Sequence, residues 1–257
     1  MKQFLVLTRK DLLEITRSKK MLILIFVFLF VAIASPLLAK LTPLLLKSIP
    51  STPGLTINLP DPTYKEAIDQ FVKNIQQIGM IVLVFIVAGS IVDEKNRKNL
   101  EILLSKPVAR TKFILSKFAS YLAPIALMLI ISAIIFYFYT NSIFGAFSLS
   151  NFSIMSVLLL LNVLMILSIT MLASTFTRNA LSAAGIGYAI FIFIDIIFGL
   201  VRKITKYSPN YTFSNYKTLI SDGWNGDFIL PMLITLSITI VSVILSVALF
   251  RNQEIER

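Results

Sequence analysis

The run MLILIFVFLFVAIASPLLA, Met21–Ala39, is nineteen residues long and contains no charged side chain. At about 1.5 Å of rise per residue, a helix of that length spans roughly 30 Å, the thickness of the hydrocarbon core of a bilayer. Five further runs follow, at about 75–92, 118–140, 154–176, 180–201 and 228–250. The second is short if read from Ile78 to Val92, so its helix has to begin near Ile75, with Gln76 and Gln77 at headgroup depth. Working outward from the first run, the fold class is all-α: a polytopic integral membrane protein with six transmembrane helices, forming one domain over residues 1–257.

Composition points the same way. Hydrophobic residues make up 56% of the chain and charged residues 14%, with a mean hydropathy of +0.84. A water-facing surface carries roughly 25–35% charged residues. The net charge of +11 therefore reads as basic residues held at lipid headgroups, and no nucleic-acid partner is expected. Sixteen of the 24 Lys and Arg residues fall in segments 1–20, 93–117, 177–179 and 251–257. The positive-inside rule then places both termini in the cytoplasm of a cell-membrane protein. Ala32-Ile33-Ala34 has the look of a signal-peptide cleavage site. The long polar segment before it contains Asp11 and Glu14, however, and the apolar run continues through Leu37, Leu38 and Leu44–Leu46, which favours an uncleaved first span.

The flanking segments have patterns of their own. Within residues 1–20, Phe4, Leu5, Thr8, Leu12 and Ile15 fall near one helical face, as in a helix lying in the inner headgroup plane. A plain basic flank anchoring the first span is the alternative. Prolines 43, 50, 53, 60 and 62 with Gly54 predict an irregular outer loop over 43–62. Asp61-Pro62 offers an N-cap and first-turn proline to a short amphipathic helix with Tyr64, Ile68, Phe71, Val72 and Ile75. That helix is expected to rest on the outer surface and run into the second span. Tyr207, Tyr211, Phe213, Tyr216 and Trp224 gather in the other outer loop, either as an interface belt or as a cap over an exit path.

Several chemistries are excluded by what the chain lacks. It has neither histidine nor cysteine, so imidazole bases, thiolate nucleophiles and the usual zinc ligands are absent. None of its nine glycines precedes a lysine, so there is no Gly-x-x-x-x-Gly-Lys phosphate loop. Only one acid, Asp195, falls inside a predicted span, at an insertion cost of about 2.5–3.5 kcal/mol. Either it lines a pathway or a subunit contact, or it is protonated or bonded to a neighbouring hydroxyl or amide. Asn162 is a second candidate for a pathway or subunit contact, although for Asn162, Ser168 and Thr170 interhelical hydrogen bonding is the favoured reading. Ala183, Ala184 and Gly187 mark a close-packing or dimer face.

The most specific stretch is DEKNRKNLEILLSKPVAR, Asp93–Arg110. Asn99 can cap a short helix carrying Leu100, Ile102, Leu103 and Leu104, which Pro107 ends. An apolar patch among cations either docks on a partner or hugs the membrane as a connector. The stretch resembles the loop between the second and third spans of type-two ATP-binding-cassette exporter permeases. Its Glu94, Leu100, Glu101, Leu103, Leu104, Ser105, Pro107, Val108 and Arg110 match that pattern in spacing. Lys98 and Asn99 stand where the family has Gly-Thr, and Ala109 where it has Ser.

The resemblance implies that 93–117 is a coupling segment whose short helix seats in a separate cytosolic ATPase. Glu94, Leu100, Glu101, Leu103, Leu104 and Pro107 would be the contacts. It also implies that ATP and Mg²⁺ bind the partner ATPase rather than this chain, that the chain is not itself an enzyme, and that a second permease copy or a relative completes the pathway. An ion-gradient-driven transporter or channel, and a non-transporting scaffold or immunity protein, remain as alternative readings.

Overall fold

A computed structural model describes residues 2–48, 61–96, 109–200, 205–211 and 215–252. Among these, the regular elements are helical. They are α1 (Lys2–Thr16), α2 (Lys19–Ser48), α3 (Tyr64–Asn74), a π-helical turn (Ile75–Gly79), α4 (Met80–Asn96), α5 (Arg110–Phe144), α6 (Leu149–Phe176), α7 (Ala180–Leu200), α8 (Tyr216–Asp222) and α9 (Ile229–Asn252), with short 3-10 turns at Thr205–Tyr207 and Gly226–Phe228. Six stretches are long and apolar enough to cross a membrane: Lys19–Pro43, Tyr64–Asn96, Arg110–Phe144, Leu149–Phe176, Ala180–Leu200 and Gly226–Arg251. With an even number of crossings, both termini lie at one end of the bundle, here called the near end. Large apolar side chains such as Phe26, Phe30, Leu181, Phe193, Leu200, Ile240 and Ile244 are exposed on the first, fifth and sixth spans. Such a surface suits lipid rather than water.

The fourth span, α6, is the centre of the packing, touching α4, α5, α7 and α9, while α2 lies along α5 and α3. Small residues set the closest approach. A Cβ on Gly187 would come within 2.9 Å of the Thr170 backbone, and Ala183 and Ala184 are buried beside it. The small-residue face of α7 therefore packs within the chain. At the far end, stacked rings tie three elements together: Phe71 on Phe136 at 4.3 Å, and Phe136 on Phe152 at 5.5 Å between centroids.

Three sequence expectations are corrected. The helix of the first span, α2, does not break at Pro43 but continues to Ser48, with Pro36 and Pro43 inside it. At Pro36, leaving the helix within lipid would strand backbone polar groups, and hydroxyls just before each proline lend extra bonds: Ser35 to the Val31 carbonyl and Thr42 to that of Leu38. The helix after the first outer loop is capped not by Asp61 but by Thr63, whose capping box with Glu66 closes both ways. Nor does that helix rest on a surface. Ala67, Ile68, Phe71 and Val72 are buried in the bundle, and the helix passes through the π turn into α4 as the outer part of the second span.

Candidate functional site

The near end brings both flanks of the 93–117 segment together. Asp93–Asn96 and Ala109–Lys117 lie within the described residues, whereas Leu100, Glu101, Leu103, Leu104 and Pro107 lie outside them. Glu94 completes the last turn of α4, and Lys117 lies two turns into α5. Their separation of 23 residues closes to 2.7 Å between Lys117 Nζ and Glu94 Oε1. The same ammonium donates to Asp11 Oδ1 of α1 at 2.9 Å, and Lys10 donates to Glu94 Oε1 at 2.9 Å. Side-chain exposure is only 4% for Lys117, 3% for Asp11 and 7% for Glu94. A charge taken so far out of water persists only when it is paired, so these residues form one unit.

Asp11, Lys117 and Lys10 were absent from the site read in the sequence. The signal for them was faint: two acids in an otherwise basic amino-terminal segment, and a lysine directly against the apolar run from Phe118. Of the residues expected on one face of α1, Phe4, Thr8 and Leu12 are half-buried and Ile15 buried, whereas Leu5 is exposed. Leu7, Asp11 and Ile15, spaced four apart, are buried, while Leu5 and Val6 are exposed. The polar Asp11 faces inward because its ammonium partner waits there, and the apolar residues beside it face out. Burial pushes the Asp11 carboxyl above its ordinary range despite the opposing Lys117 charge. For Lys10, burial works against the ammonium, but the hydrogen bond and charge of Glu94 outweigh it and hold the group above its ordinary range.

A cavity of about 120 Å³ adjoins the cluster, lined by Glu14, Ser90, Asp93, Glu94, Lys117 and Tyr121 among others. Carboxylate oxygens of Asp11, Glu14 and Glu94 lie within 4.8 Å of one another, a spacing that suits a hard cation. The Lys117 ammonium already bridges two of those carboxylates, so the protein supplies its own cation there.

Around this cluster the flanks reach other helix ends. Ser174 of α6 donates to the Ala88 carbonyl at 2.7 Å and accepts from the Ile91 and Val92 amides at 3.2 Å each. Lys95 donates to the Thr175 carbonyl, and Asn96 to that of Arg178 at 3.2 Å. On the other flank, Arg110 donates to the carbonyls of Arg251 at 2.6 Å and Phe250 at 3.3 Å, and Phe113 stacks on Phe250. Lys112 reaches Gln3 of α1 at 3.2 Å.

The two intramembrane candidates sit apart from this end. Half-buried Asp195 accepts from the Asn210 side-chain amide at 2.5 Å, and Asn210 in turn accepts from Gln76 in the π turn at 2.7 Å. A neighbouring amide thus accommodates that carboxyl. Asn162 donates to the Leu158 carbonyl of its own helix at 3.1 Å, and Ser168 to that of Met165 at 2.8 Å. For Ser168 the hydrogen bond is a turn within α6 rather than a bridge to another span. Ser174, six residues on, makes the interhelical contacts. In the far-end loop before the sixth span, Tyr216 is buried with its hydroxyl on Asp69, Trp224 and Tyr211 pack on Phe228, and Phe213 lies outside the described residues.

Similarity to known proteins agrees with this architecture. Residues 5–255 match the model of the ABC-2 family transporter proteins. The chain is also 24% identical over 230 residues to the uncharacterized transmembrane protein YxlG of Bacillus subtilis (strain 168), covering 89% of each chain. Six membrane-crossing helices and a family match across almost the whole length make this chain a membrane permease subunit of the ABC-2 transporter family.

Proposed function

We propose that the chain is the permease half of an exporter driven by a separate cytosolic ATPase, and that residues 93–117 are where the two meet. The carrying observation is the charge cluster. The segment whose sequence resembles a coupling loop is flanked within the bundle by Glu94 and Lys117, and a buried ion pair joins those two residues. A connector fixed at both ends on a rigid base delivers force to the bundle, where one on loose ends would absorb it. In this reading the near end faces the cytoplasm of the cell. Leu100, Glu101, Leu103, Leu104 and Pro107 contact the ATPase, which binds ATP and Mg²⁺, and a second permease copy or a relative completes the pathway. Glu94 anchors the segment from inside the bundle instead of touching the partner.

The test is co-purification with a candidate cytosolic ATP-binding-cassette ATPase from the same genome, co-expressed with the permease. Leu103→Asp and Leu104→Asp each put a charge on the expected apolar contact and should remove the ATPase from the complex while the permease stays monodisperse. Retention of the ATPase by both variants, with ATP-dependent transport intact, would refute the assignment. Transport that survives ATP depletion but stops when ion gradients are collapsed would favour the gradient-driven alternative.

A further inference from the structure

We infer that Lys95 and Arg110 are positioning residues of transport, each fastening one flank of the 93–117 segment to the end of a different span. This rests on the coupling role proposed above. Lys95 is one residue past Glu94 and donates to the Thr175 carbonyl in the last turn of the fourth span, α6. Asn96 adds the Arg178 carbonyl just beyond that helix. Arg110 opens α5 and donates to the Phe250 and Arg251 carbonyls in the last turn of the sixth span, α9.

A helix ends with four carbonyls that have no partner in its own ladder, and the helix dipole makes that end attract cations. A basic side chain placed there acts as a handle on the whole helix, because the helix moves as a rod. The two flanks therefore hold two different rods. The incoming flank holds α6, and the outgoing flank holds α9, while Glu94, Lys117, Asp11 and Lys10 hold both flanks to α1. Displacement of the segment would then be split between the fourth and sixth spans along separate connections. That separation distinguishes positioning from simple capping, which would raise stability without directing motion.

The chain has no cysteine, so spin labels can be introduced without background. Two double-label pairs report far-end distances from the first span: Lys40→Cys with Ser150→Cys for α6, and Lys40→Cys with Leu230→Cys for α9. Every measurement uses the full chain with its co-expressed ATPase in nanodiscs, with and without Mg-ATP and vanadate, read by double electron–electron resonance. In the parent, trapping the nucleotide should shift both distances. Lys95→Met should lose the shift in the first pair only, and Arg110→Met in the second pair only, with the ATPase still bound. Lys95→Arg should keep it. Ser174 continues to hold α6 on α4 in Lys95→Met, so that variant is expected to fold. If both methionine variants shift as the parent does, or each loses both shifts together, the inference is overturned. A parent that binds no ATPase, or shows no nucleotide-dependent shift, overturns the coupling role first and this inference with it.

Discussion

Lys117 and Asp11 share a hydrogen bond of 2.9 Å, yet the two sides of that bond should respond very differently to substitution. Lys117→Met leaves Asp11 and Glu94 buried without their common cation, and breaking a buried pair in this way costs about 3–5 kcal/mol. Thermal unfolding in detergent should show a large loss for that variant, and an unchanged midpoint would mean the cluster carries no energy. Asp11→Asn should be milder. Burial, with the nearby Glu94 charge, disfavours the Asp11 carboxylate on balance despite Lys117, and Lys117 keeps Glu94. The pH dependence follows from the same balance. Asp11 has a folded pKa above its ordinary 3.8, so its stabilising contribution is complete below that pH and is lost as pH rises through the elevated value. Asp11→Asn should flatten the acid side of the stability curve. A curve unaltered between parent and variant would show that Asp11 does not titrate in this way.

At the scale of elements, the second span is a helix in two phases, α3 and α4, joined by the π turn at Ile75–Gly79. Its outer start depends on the Thr63–Glu66 box. Thr63→Ala should cost about 0.5–2 kcal/mol. The loss should appear as faster hydrogen exchange at residues 64–67, with α4 unaffected; uniform acceleration along the span would argue against a local cap. Between α6 and α7, the contact is limited by backbone. Gly187→Ala places a methyl 2.9 Å from the Thr170 Cα, where no side chain can swing aside. Overpacking of this kind costs about 1–3 kcal/mol, visible as a lower unfolding temperature.

Across the whole molecule, the proposed orientation with the near end in the cytoplasm can be tested directly. Single cysteines at Gln3 and at Arg251 should react with an impermeant maleimide only when the cytoplasmic face is opened, and one at Trp224 should react in intact cells. The reverse pattern would place the 93–117 segment out of reach of any cytosolic ATPase and remove the functional proposal along with the topology. The lipid-facing surface is concentrated on the first, fifth and sixth spans, whereas polar side chains such as Ser168, Ser174 and Thr175 line the buried fourth span. A bundle with that distribution keeps its hydrogen-bonding groups at helix contacts, where lipid cannot reach them.

Six spans, an amino-terminal helix before them and a distinctive segment at 93–117 were all legible in the sequence, because each is a local property. Unbroken apolar length decides a span, and spacing decides a motif. The charge cluster was not legible in that way. Asp11, Glu94 and Lys117 are separated by 106 and 23 residues in their two bonds to the lysine, and nothing local says that three charges will meet. Likewise, Asp195 stood out as a lone acid in a span, but Asn210 and Gln76 identified its environment only once folding had brought the outer loop against the π turn. Pro43 illustrates the converse. Read locally it ends a helix, and in the fold the helix carries on past it to Ser48, with Thr42 bonding the Leu38 carbonyl just before it. The sequence alone therefore determined how many times Met21–Ala39 and its counterparts cross the membrane. Only the tertiary structure decided which buried charges meet, since a low-dielectric interior forces each of them to find a partner wherever the chain brings one.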